Sequence, residues 1–108
     1  MTISIGDLPA IWRPIGDPVV IADASVATEI SQINNADGFI IWTETQAIRV
    51  KVVEPTSLDD ATAAEGIPVN TVDVDGVRFF PLFRSKASVI EQVAGADVQY
   101  QYIEFKKS

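Results

Sequence analysis

The residues of this chain that could do chemistry are few, and most have a plainer reading. Asp73-Val74-Asp75-Gly76 resembles part of a calcium loop. A full EF-hand loop needs further acids at fixed spacing and a closing bidentate glutamate, which do not follow here. Asp-Gly also suits a hairpin turn, and that is the expectation for residues 73–76. Asp59 and Asp60 could form a carboxylate pair. Adjacent residues on a short helix point apart, however, and acids at a helix start are accounted for by its dipole. Trp12, Trp42, Tyr100 and Tyr102 could build a sugar-stacking platform, although such aromatics in a small sandwich more often serve the core or a subunit interface. The six glycines are scattered, so no phosphate-cradling loop is expected.

Two absences narrow the chemistry further. The 108 residues include no cysteine and no histidine. A disulfide, a thiolate nucleophile and a zinc–thiolate site are impossible, and so is a Ser-His-Asp or Cys-His triad within the chain. A lysine or carboxylate base stays conceivable. The expectation is a protein that is not an enzyme and has no catalytic residue, cofactor or metal. Fifteen acids against eight bases give a net charge of −7. That balance argues against direct nucleic-acid binding and against attraction to anionic lipid. "MTISIGDLPAIW" lacks the basic and apolar regions of a signal peptide, and no apolar run reaches membrane-helix length. A soluble protein made in a cytoplasm is expected.

The elements that would position these residues are written in the choice of apolar side chain. There are 13 Ile and 13 Val against 3 Leu and 1 Met. β-Branched residues restrict χ1 in a helix and pack well on a pleated surface, so the chain reads as mostly β. Strands are expected over 18–23, 39–44, 47–53, 67–72 and 77–83. Residues 25–33 fit helical spacing and strand alternation alike, and the turn at 34–38 favours strand. Residues 55–66 read as a loop or short helix from Ser57 to Gly66, and 87–105 as a hairpin turning at 94–97. In the last strand Ile103 and Phe105 leave the face shared by Val98, Tyr100 and Tyr102, which implies a bulge or two-sided burial. Seven or eight strands about ten residues apart, with no βαβ rhythm, predict one antiparallel β-sandwich, Ig-like or jelly-roll-like, over residues 19–108.

Residues 1–18 stand apart. Pro9, Pro14 and Pro18 exclude a helix or a central strand, yet the segment carries Ile3, Ile5, Leu8, Ile11 and Trp12. An extended N-terminal arm is expected, lying on its own domain or on a neighbour. "VRFFPLF" is apolar on both faces, so Phe79, Phe80, Leu82 and Phe83 need a second cover from the arm or another chain. Both sets are candidate partner-interface residues.

Three stretches carry a family resemblance. Ile48-Arg49-Val50 leads into the Thr/Ala-rich Ala61–Ala64, which closes on Gly66-Ile67-Pro68-Val69. Phe80-Pro81-Leu82 and the Ala94-Gly95-Ala96 turn follow. The pattern, over about residues 46–105, resembles that of small bacteriophage virion proteins of the capsid decoration (cement) type. The arm has no counterpart in it. The resemblance implies a structural role on the virion exterior: a β-sandwich, often a homotrimer, seated on the major capsid protein lattice. Other tail, fibre or head-completion components, and a carbohydrate-binding module, stay open as alternatives.

Overall fold

The computed structural model describes Ile3–Ser4 and residues 12–105. Among the described residues nine strands form two antiparallel sheets. They are β1 (Ile3–Ser4), β2 (Trp12–Ile21), β3 (Thr28–Ser31), β4 (Gly38–Thr43), β5 (Ile48–Val53), β6 (Ile67–Val69), β7 (Arg78–Pro81), β8 (Lys86–Glu91) and β9 (Val98–Phe105). A single helical turn, α1 (Val72–Asp75), joins β6 to β7. One sheet runs β1-β7-β4-β9-β2 and the other β3-β8-β5-β6.

The strand order follows from one operation. β5 pairs with β6, β4 with β7, β3 with β8 and β2 with β9, all antiparallel. The chain is therefore one long nested hairpin with its apex at residues 54–66. Successive pairs fall into alternate sheets, and the β4·β9 and β5·β8 pairings zip them together. This rolled double sheet is the jelly roll, so of the two sandwiches expected, this one forms.

That topology corrects two local expectations. Residues 73–76 do not close a hairpin, because β6 and β7 lie in different sheets. The chain crosses between them through α1, which ends at Gly76 with φ 66°. Residues 94–97 likewise connect β8 to β9 across the sandwich. β2 runs through residue 18 as an edge strand, where Pro14 and Pro18 are tolerated, with an irregularity between Ile15 and Val19 and Gly16 at φ 69°.

Residues 54–66 form a loop without a helix. The Ser57 hydroxyl accepts the Asp59 N–H at 3.1 Å, a local turn that competes with helix formation. Thr62 and Glu65 then exchange backbone hydrogen bonds of 3.1 and 3.2 Å around Ala63-Ala64. The Ala61 N–H donates to the buried Ser88 hydroxyl at 2.9 Å. Ser88 lies between the core residues Ala87 and Val89, so it faces away from the inter-sheet layer. The loop thus folds back over the outer face of the four-stranded sheet.

Strict alternation explains two-sided burial in the other sheet. Phe39, Ile41, Phe80, Val98, Tyr100 and Tyr102 pack into the inter-sheet layer, whereas Ile40, Trp42, Phe79, Ile103 and Phe105 gather on the opposite face. The β4·β9 register is continuous from Gly38↔Ile103 to Thr43↔Val98, so no bulge is needed there. Phe39 stacks on its cross-strand neighbour Phe80 at 5.5 Å, and Phe79 meets Phe105 at 5.2 Å. Burying each such ring stabilises the fold by roughly 2–3 kcal/mol. Gly38 is required by close approach, because a β-carbon there would sit 2.3 Å from the Phe80 carbonyl oxygen.

Candidate functional site

Among the described residues a concavity lies at one end of the roll. It is an open groove of about 1070 Å³ between the β3–β4 loop, the β7–β8 turn and the joined ends of β2 and β9. Leu82 is fully buried and pins the turn, so the next side chain, Phe83, projects outward and is 80% exposed. Arg84 then takes a left-handed φ of 52°. Its N–H donates to Gln32 Oε1 at 3.1 Å, and its guanidinium lies 5.5 Å from the Phe83 ring centroid, a cation–π arrangement.

The opposite wall depends on Asp37. Its N–H donates to the Ile103 carbonyl at 2.9 Å and its carbonyl accepts the Leu82 N–H at 3.1 Å. Its carboxylate accepts the Phe105 N–H at 2.7 Å. This residue therefore ties the β3–β4 loop to both β7 and β9. Asn35 holds φ 71°, which asparagine tolerates. The side chains of Asn34 and Asn35 line the groove and make no hydrogen bond to another described residue. Across it, Arg13 Nε donates to Glu104 Oε1 at 2.5 Å between directly paired positions of β2 and β9.

The residues expected at a partner interface separate. Phe79, Phe80 and Leu82 are at most 1% exposed and are used inside the chain's own fold. The second sheet covers the Phe80 side of this strand. On the Phe79 side lie Ile40 and Ile103, with Trp12, Trp42, Val77 and Phe105 packed around them. Phe83 alone of that set is exposed. Trp12 is half-buried. Ile3 pairs with Phe79 through the backbone. Ile5, Leu8 and Ile11 lie outside the described residues.

The four aromatics do not make a platform. Trp12 and Trp42 lie on the outer face, and Tyr100 and Tyr102 lean into the core. Burial pushes both phenols above the ordinary tyrosine range, and the Tyr102 hydroxyl donates to the Ser31 carbonyl at 2.6 Å. Asp75 is structural. Burial acts to raise its carboxyl, but the Asn70 N–H at 2.6 Å and the Arg78 guanidinium at 2.9 Å outweigh it and hold it below the usual carboxylate range. Asp59 and Asp60 sit exposed in the apical loop. Among the described residues no group of three or more His, Cys, Asp or Glu side chains could hold a metal ion, and no helix is long and apolar enough to cross a membrane.

The groove residues Arg13, Asn34, Asn35 and Glu104 were not expected from the sequence. Arg13 and Glu104 are 91 positions apart, and only the β2·β9 pairing brings them together. No family model, curated protein or solved structure matches this chain.

Proposed function

We propose that this protein is a structural virion component, a bacteriophage capsid decoration protein. It binds the major capsid protein lattice as a homotrimer and clamps neighbouring subunits. The observation that carries this reading is the supply of apolar side chains ahead of β2. The inter-sheet core is built from residues between Ile21 and Val98 packed to near-zero exposure. In this reading Ile3, Ile5, Leu8 and Ile11 supply apolar area for a partner.

The fold agrees with the reading by analogy alone, since jelly rolls recur in viral capsid and lectin domains. A modest interface per copy is sufficient on a symmetric shell, because simultaneous engagement multiplies weak contacts. A tail, fibre or head-completion role differs in copy number. Light scattering of the isolated chain, with protein quantification of purified particles, tests the proposal. The expected result is a solution mass about three times the 11.7 kDa chain and copies in proportion to the capsid lattice. A stable monomer, present at about a dozen copies per particle or fewer, would overturn it.

A further inference from the structure

We propose that the groove beside Phe83 is a carbohydrate-binding site. A sugar ring offers an apolar C–H face and a rim of hydroxyls that both donate and accept. The groove offers the matching pair: an exposed aromatic ring in Phe83, and a wall of groups that donate and accept in Asn34, Asn35 and the Arg13–Glu104 pair. Its open shape suits a chain of sugars entering from the side.

The same wall argues against a peptide or a nucleic acid. Strand addition needs unpaired backbone groups, and here the N–H groups of Ala36, Asp37, Arg84 and Phe105 and the carbonyl of Asp37 are already hydrogen-bonded. A ligand is therefore read through side chains. Arg13 is paired with Glu104, and the Asp37 carboxylate offsets the Arg84 guanidinium held at Phe83, so the groove has no surplus positive charge for phosphates. The assignment stands apart from the virion reading, since a particle-bound copy fixed through its arm and a free lectin would present the groove alike. It also replaces the Trp42 and Tyr100 surface, whose members face opposite sides of one sheet.

The experiment is a glycan array of bacterial surface and mammalian oligosaccharides probed with the full chain, each hit titrated by NMR against the wild type, Phe83→Ala, Asn34→Ala, Trp42→Ala and Leu58→Ala. The expected result is at least one glycan class whose affinity falls roughly tenfold or more in Phe83→Ala and Asn34→Ala, with the folded spectrum and thermal midpoint kept. Leu58→Ala, an exposed position outside the groove, should bind as the wild type does. Absence of any bound glycan on the array, or binding that survives Phe83→Ala and is lost in Trp42→Ala, would overturn the assignment.

Discussion

Replacing Gly38 with alanine should damage this fold more than any other single-methyl change in β4. Gly38 lacks the left-handed φ that usually explains a required glycine. Judged by backbone entropy alone, Gly38→Ala should stabilise the protein by about 0.4–1 kcal/mol. The packing says the reverse. The new β-carbon would lie 2.3 Å from the Phe80 carbonyl oxygen and 2.7 and 2.8 Å from two carbons of the Phe79 ring, where real contacts essentially never fall below 3.0 Å. The carbonyl is backbone and cannot rotate away, so β4 and β7 must part by at least 0.7 Å at this point. Overpacking of this kind costs about 1–3 kcal/mol, and each ladder hydrogen bond lost adds about 1 kcal/mol. Net of the entropy gain, the expected loss is about 2–3 kcal/mol, or a fall of roughly 10–20 °C in thermal midpoint for a domain of this size. Urea unfolding followed by far-UV circular dichroism, with a parallel thermal scan, measures it. Gly16→Ala is the comparison: at φ 69° with nothing within 4 Å, it meets backbone strain but no clash and should lose about 1–2 kcal/mol. If Gly38→Ala matches or exceeds the wild type in stability, the close approach of β4 and β7 is wrong.

Two further outcomes follow from residues already placed. Phe80→Ala should destabilise by about 3–5 kcal/mol through the cavity it leaves, whereas Phe83→Ala, four-fifths exposed, should change stability by less than about 0.5 kcal/mol; equal effects in denaturant unfolding would contradict the inward and outward assignment of this turn. Asp75 contributes stability that is present above the ordinary carboxylate range and lost as pH falls through its lowered folded-state value. Thermal midpoints of wild type and Asp75→Asn should therefore differ at pH 7 and converge below about pH 4, and parallel curves would refute the Asn70–Asp75–Arg78 account.

The class of fold was legible because it rests on local chemistry. The Ile and Val excess, the alternation in 48–53 and the prolines near 14 and 18 each act within a few residues, and they give strands and an edge. Residues 25–33, ambiguous by spacing, resolve as β3 because Ile30 is buried opposite Ala87. The pairing of strands was not legible. Asp75-Gly76 and Ala94–Asp97 carry hairpin chemistry, yet each bridges two sheets, because nested long-range pairing overrides local turn preference. The apolar run at 79–83 was visible, but not its division. Phe79 and Phe80 face opposite sides of one sheet, Leu82 is buried, and only Phe83 escapes. The groove was out of reach, since its walls meet only after residues 13, 34 and 104 have been brought together by the roll.

In the proposed function, the apolar residues ahead of β2 attach this sandwich to a capsid shell. Removing residues 1–11 takes away the two-residue edge strand β1 but stops short of Trp12 and leaves β2 whole. Full-length and truncated proteins should be mixed with undecorated shells of the cognate phage and pelleted, with the folded state of each checked by circular dichroism. The full chain should saturate the shells, and the folded truncation should stay in the supernatant. Saturation by the truncated protein, or failure of the full chain to sediment, would contradict it.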